Sequence, residues 1–309
     1  MATLKEEIKL ETLRSLRLCG ELFFRLFLIK IMKDIRMNRG DNSGYDHLEF
    51  EEIEADNGKT VGIIYLNKPD RNSLGSWLLD AIYEKMDQYE NDEKVGAIII
   101  ASKLRGVFCD GVDREELFGS WISDLVAKKD YERFHRSYEM LVEMENCQKP
   151  VIAAINGIAI GAGIELAMLC DLRIASELAF FNLPEAKPEL GIIPALGTTQ
   201  RLPRLIGHAR AKEMLFLGKM IRAKTALEWG LVNRVVPHKE VLSQAIEMAK
   251  VLLERDTGVL IEMKKCVNFA VENDITKGLE YEVDIFAKMM RVKLEKKLTA
   301  KTQSPQRET

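Results

Sequence analysis

Residues 151–171, VIAAINGIAIGAGIELAMLCD, decide how the chain is read. The first eight, 151–158, are mostly apolar and include β-branched side chains, which predicts a buried strand. Gly161, Ala162 and Gly163 then form a small-residue turn ahead of a helical run over 164–170. Free amides and the positive end of a helix converge on such a turn, so it suits an oxyanion. Glu165 sits on the first turn of that helix. Its helical neighbours three and four residues away are Gly161, Ala162, Met168 and Leu169, none of them a cation. A carboxyl in such surroundings resists ionisation and has a raised pKa, as a group that moves protons at neutral pH requires. Merely complementing the helix end is worth about 0.3–1 kcal/mol and is available to an exposed acid, so we read Glu165 as catalytic.

Two other apolar segments run into glycine-bearing loops. Upstream, the strand predicted over 96–101 leads to Phe108, Cys109, Asp110, Gly111, Val112 and Asp113, where Gly111 permits a sharp turn that aims the Val112 amide at a ligand. Downstream, FFNLPEAKPELGIIPALGTTQR (residues 180–201) carries Glu185 and Glu189 between prolines, on a stiff loop able to face a cleft. In α/β proteins ligands gather outside the carboxyl ends of the strands, so these three loops mark the expected site.

The rest of the chain fits an α/β reading. Strands are expected at 47–54, 60–66 and 171–176 besides those at 96–101 and 151–158, with helices over 76–89 and 131–144 between them. That order predicts a largely parallel sheet. After Arg201 only helices are expected, over 209–217, 223–229, 239–254, 258–271 and 275–298, and the polar tail 299–309 reads as disordered. The division that follows is an amphipathic helical extension and linker over 1–45, a core over 46–205, a helical C-terminal subdomain over 206–298, and the tail.

Composition narrows the function. With 45 Lys plus Arg against 48 Asp plus Glu, the net charge is −3, and no chain-wide field draws the protein onto nucleic acid. The five cysteines are scattered without a CxxC pair, which suits free thiols in a reducing compartment, and we expect the cytoplasm. The four histidines lie far apart without metal-ligand spacing, so no metal site is expected. In the first 45 residues, Leu13, Leu16, Phe23, Phe27 and Ile31 follow helical spacing, but Arg14, Arg17, Glu21, Arg25 and Lys30 forbid a membrane span. Such a helix packs on its own domain or subunit, or lies on a membrane surface or a partner.

With these motifs in hand, the chain from His47 to Met290 resembles the enoyl-CoA hydratase/isomerase, or crotonase, superfamily. The resemblance rests on LNKPDRNSL, FCDGVD, AAINGIAIGAGIELAMLCDLRIAS, LPEAKPELGIIPALGTTQRLPRLIG and ALEWGLVNRVVP, in that order and spacing. It implies an α/β spiral of strand-strand-helix turns, C-terminal helices that mediate trimerisation, assembly as a homotrimer or a homohexamer of stacked trimers, and a coenzyme A thioester as substrate with no separate cofactor. Position by position, it places the oxyanion hole on the Val112 and Ala162 amides and the two catalytic carboxylates on Glu165 and Glu185. It also aligns Asp113, Arg114 and Glu115 with the segment that lines coenzyme A, and Arg71 is a candidate for the nucleotide phosphates.

The chain departs from the family pattern in places. Residues 185–194 run two longer than the usual spacing, which leaves Glu189 as an alternative to Glu185. Asp110 stands where a small residue is usual, and no aspartate follows Pro194, as one does in dienoyl-CoA isomerases. The expected activity is hydration of a trans-2-enoyl-CoA to a 3-hydroxyacyl-CoA. Double-bond isomerisation, thioester hydrolysis and a non-catalytic binding role on the same fold are the alternatives. Acyl specificity is expected from residues 116–130, which include Trp121.

Overall fold

The computed structural model describes residues 44–117 and 131–303. The N-terminal extension, most of the 116–130 segment with Trp121, and residues 304–309 lie outside the described residues. Residues 1–43 and 44–309 are separate units, and the second carries the fold described here.

Two sheets organise this unit. The larger has the order β1-β2-β3-β5-β7-β10, from β1 (Leu48–Glu54), β2 (Thr60–Leu66), β3 (Val95–Ser102), β5 (Val151–Ile155), β7 (Leu172–Ser176) and β10 (Arg234–Val236). All neighbours in it are parallel except β1 and β2. The smaller sheet, β4-β6-β8-β9, is built from β4 (Val107–Asp110), β6 (Ile158–Ile160), β8 (Phe180–Asn182) and β9 (Ile221–Arg222). Strands β4, β6 and β8 are parallel, and β9 is antiparallel to β8. The chain visits the two sheets alternately, β3 then β4, β5 then β6, β7 then β8, so each turn adds one strand to each. This is the spiral of strand-strand-helix turns.

Period-two alternation explains why β2, β3 and β5 are apolar throughout. Val61, Ile63, Ala97, Ile99, Ile152 and Ala154 face one way, onto Val241, Ala245, Ala249 and Leu253 of a C-terminal helix. Ile64, Leu66, Ile98, Ile100, Val151, Ala153 and Ile155 face the other way, into the interior between the sheets. That interior also takes the buried face of α1 (Ser76–Asn91), with Leu78, Leu79, Ile82, Met86 and Tyr89, and part of α2 (Tyr131–Glu145). Helix α3 (Ala162–Leu169) is buried at all eight residues, which accounts for a sequence that is apolar apart from Glu165. The later helices are α4 (Thr198–Ile206), α5 (His208–Leu217), α6 (Ala223–Trp229), α7 (Val241–Leu253), α8 (Thr257–Glu272) and α9 (Ile275–Gln303).

Three expectations need correction. The strand expected over 151–158 is two strands in different sheets, broken at Asn156 and Gly157. Asn156 Nδ2 donates to the Leu104 carbonyl at 2.8 Å, and a β-carbon on Gly157 would run into the Gly106 carbonyl, so this corner needs a residue with no side chain. Strands do not stop after Arg201: β9 and β10 follow, the first of two residues and the second of three, too short to show a period. Strand β10 joins the large sheet beside β7, and α7 supplies the helices' share of its outer core, so the C-terminal part is not helical alone. Lastly, the tail is helical through Gln303, continuing α9 past Leu298.

Candidate active site

The three loops converge, but on strands other than those expected. Parallel strands β4, β6 and β8 lie side by side in the small sheet, and their carboxyl ends lead directly into Gly111–Val112, Gly161–Ala162 and Leu183–Glu185. The cleft they border encloses about 810 Å³ with its open mouth. Its walls include Leu74, Leu79, Val112, Leu117, Ile160, Leu190, Ile192 and Ile193, and its polar groups include Asp110, Arg114, Glu165 and Glu185. A mostly apolar cleft with a few converging ionisable groups is the usual form of a small-molecule site.

Two turns present amides to it. Gly111 has φ 95° and Gly161 φ 48°, both in the region that only glycine enters at little cost. At the first turn, a parallel bridge joins Leu74 and Val112 through Leu74 N–H on the Gly111 carbonyl (2.8 Å) and Asp113 N–H on the Leu74 carbonyl (3.0 Å). In that pattern the Val112 peptide turns its own N–H to the side away from Leu74. At the second, the Gly161 amide is taken by the Asn182 carbonyl (2.9 Å), and the next amide, Ala162, opens α3, where no intrahelical acceptor exists. The turns abut: a β-carbon on Gly161 would lie 3.9 Å from the Gly111 Cα and 2.6 Å from Glu185 Oε1.

Glu165 and Glu185 are 4% and 8% exposed, and they are held differently. Three donors meet Glu165 Oε1: the Leu196 amide (3.0 Å), the Thr198 amide (3.3 Å) and the Thr198 hydroxyl (2.7 Å), all at the start of α4. Burial raises the Glu165 pKa, while the Thr198 and Leu196 donors and the Arg201 charge pull against it. The cation missing from its own helix thus comes from α4. Glu185 Oε2 is buried without a donor among the described residues. Burial drives its pKa up to about 7, offset in part by its own amide and reinforced by the neighbouring Glu165.

The remaining candidates separate. Glu189 is exposed and off the cleft wall, so of the two loop acids Glu185 is the one that faces inward. Arg114 lines the cleft, whereas Glu115 is exposed and does not. Asp113 does not line it either. Its carboxylate caps the turn Arg114–Glu116 through the Glu116 amide (3.0 Å) and pairs with Lys68 Nζ at 2.7 Å. Burial would raise its pKa, but those partners win and lower it. Asp113 is thus held by a cap and an ion pair beside the cleft, and Glu115 faces solvent. Arg71, itself at φ 72°, pairs through Nε with Asp110 at 2.8 Å beside the cleft. Sequence reasoning missed Thr198, Arg201 and Lys68, whose partners Glu165, Glu145 and Asp113 lie 33, 56 and 45 residues away and leave no local signal.

Comparison with known proteins places the chain in a family. The sequence profile described as enoyl-CoA hydratase/isomerase matches residues 56–305. The chain is 36% identical over 241 residues to the mitochondrial enoyl-CoA hydratase of Pongo abelii, covering 77% of this chain and 80% of that protein. It is 32% identical over 272 residues to the mitochondrial methylglutaconyl-CoA hydratase of Homo sapiens, covering 85% and 77%. Among solved structures, an enoyl-CoA hydratase from Bacillus anthracis superposes with a TM-score of 0.71 at 32% identity, over 79% of this chain and 91% of that one. With a matching profile over most of its length and this spiral architecture, the chain belongs to the enoyl-CoA hydratase/isomerase family.

Proposed function

We propose that the protein is an enoyl-CoA hydratase that adds water to a trans-2-enoyl-CoA to give a 3-hydroxyacyl-CoA. One observation carries this reading. Two buried carboxyls share the cleft, one surrounded by donors that favour its ionised form and one whose pKa of about 7 keeps a large share of it protonated at neutral pH. Hydration needs both a base and an acid; moving a double bond needs only one shuttling carboxyl.

In the reaction we assign, Glu165 takes a proton from water as the water oxygen bonds to Cβ. The π electrons move through Cα to the thioester oxygen, and Glu185 delivers its proton to Cα as the carbonyl re-forms. The Val112 and Ala162 amides meet the oxygen while it carries charge, each such donor being worth roughly 2.7–4 kcal/mol. Arg114 on the cleft wall and Arg71 beside it are the cations we assign to coenzyme A, which arrives as part of the substrate and leaves no need for a metal or redox cofactor. We include assembly as a homotrimer or homohexamer, supported by the exposed Met263, Val267 and Val271 on α8 and Leu279, Val283 and Phe286 on α9. A cytoplasmic location fits the free thiols Cys109, Cys147, Cys170 and Cys266, and no described helix is long and apolar enough to cross a membrane.

Crotonyl-CoA incubated with purified protein tests the reading. The conjugated thioester absorbance should fall and the product should gain the mass of one water. An unchanged mass with a shifted double bond would replace hydration with isomerisation, and free coenzyme A would replace it with hydrolysis.

A further inference from the structure

The oxygen of Glu165 that takes all three donors depends on a short piece of backbone, Leu196–Thr198, that is neither strand nor helix until α4 begins. Its middle residue, Gly197, has φ 96°, and the Arg201 guanidinium occupies the space where a side chain on Gly197 would go. Arg201 Nη1 donates to the Leu196 carbonyl at 2.9 Å. On its other edge, Nε and Nη2 both donate to Glu145 Oε2, at 3.0 and 2.7 Å. Glu145 is the last residue of α2. The Leu196 residue is thus gripped twice, its carbonyl by a guanidinium anchored to α2 and its amide by the carboxylate of Glu165. The Arg201 side chain is 14% exposed and that of Glu145 36%, so Arg201 is the shielded end of the pair and Glu145 its end toward water.

We propose that Arg201, braced by Glu145, is a positioning residue that keeps Leu196–Thr198 fitted to Glu165 Oε1 and so supports the carboxylate form of Glu165 against its burial. This deepens the reading of Glu165 as general base and rests on it. A planar fork is what the arrangement requires, because one group must reach a carbonyl and a carboxylate in different directions at once. The Arg201 charge also acts directly on Glu165, favouring the carboxylate. The other ionisable groups around Glu165 are Glu185 on the segment after β8, Asp110 and Arg114 across the cleft, and the neutral Cys109 thiol of β4, whose pKa burial raises to about 12. Helix α2 contributes Glu145, behind Arg201. Of the two cations, Arg201 alone is tied to the backbone that Glu165 holds.

The test is made on the full-length protein by infrared titration of the carboxyl bands, assigned through their loss in Glu165→Gln and Glu185→Gln. In Arg201→Met, Glu165 should titrate roughly one unit higher. Arg201→Lys should restore most of that shift, since the charge returns, but not the turnover, since the fork does not. With crotonyl-CoA, kcat of Arg201→Met should fall about 10²-fold while KM stays within about twofold. Glu145→Gln supplies a second measurement should the methionine variant not fold: with its counter-charge gone, the guanidinium should move Glu165 the opposite way, to lower pH. A Glu165 titration that stays in place in these variants overturns the proposal. Because the titration needs no turnover, a shifted Glu165 in a protein that adds no water would instead overturn the hydratase reading and leave the positioning role standing.

Discussion

The two carboxyls of the cleft belong to regions built on opposite plans. Glu165 rises from the first turn of a helix buried on every side, and three donors from a separate loop close on one of its oxygens. Glu185 stands on irregular chain between Pro184 and Pro188, and its Oε2 is buried with no donor among the described residues. Near-equal burial therefore yields unlike chemistry. Burial raises both pKa values; at Glu165 three donors and the Arg201 charge pull against it, whereas at Glu185 only its own amide does, and the adjacent negative charge deepens the bias toward the acid. Burial pushes both carboxyls toward the acid form, and the contrast lies in how many donors resist that push.

Removing either group tests the contrast hardest. Glu165→Gln and Glu185→Gln should each lower kcat on crotonyl-CoA by about 10²–10⁴-fold, with substrate binding measured by calorimetry largely kept. The two should differ in pH dependence, because Glu165→Gln removes the limb that requires a base and Glu185→Gln the limb that requires an acid. If both variants keep full turnover, the division of labour is wrong.

Gly161→Ala should come next. The methyl would meet Glu185 Oε1 and force a non-glycine residue to φ 48°, a strain of roughly 1–3 kcal/mol that thermal denaturation should register. Activity should fall with it, since the Ala162 amide turns with the same peptide.

A subtler difference lies in stability against pH. The folded protein binds the Glu185 proton more tightly than the unfolded chain does, because the folded pKa is about 7 and the unfolded one lies in the ordinary carboxylate range. Its contribution to stability is therefore fully present below that range and lost as pH rises through about 7. Melting temperatures from pH 5 to 8 should decline more steeply in the native protein than in Glu185→Gln. The smallest effect is expected at Glu189→Gln, where turnover should stay within about twofold, as for any exposed side chain away from a site. A large loss there would move the acid role four residues along the loop.

Much of this was legible in the sequence, and what escaped did so for definite reasons. The turn Gly161–Ala162 and the apolar surroundings of Glu165 are local, and the long helices α1, α7 and α8 carry enough turns to show their period. Strands β6 and β8 have three residues each, too few for alternation to register, so the loops were placed after the wrong strands. Glu185 and Glu189 look alike because prolines and apolar residues surround both; the fold alone turns one inward. Thr198 and Arg201 fall within a quoted motif, yet their roles depend on Glu165 and Glu145, 33 and 56 residues distant.

One corner of the spiral has a consequence for the whole site. Where the chain passes from β5 to β6, Gly157 rests directly on the peptide of Gly106, and the Ile158 amide bonds to the same Gly106 carbonyl at 2.9 Å. Successive coils touch there as bare backbone, like adjoining windings of a spring with no spacer. Even a single methyl inserted at that seam would act as a shim, lifting the β6 winding off the β4 winding just upstream of both oxyanion turns. The pitch of the coil, and with it the gap between two amides meant for one oxygen atom, is set by a hydrogen where every other amino acid carries carbon.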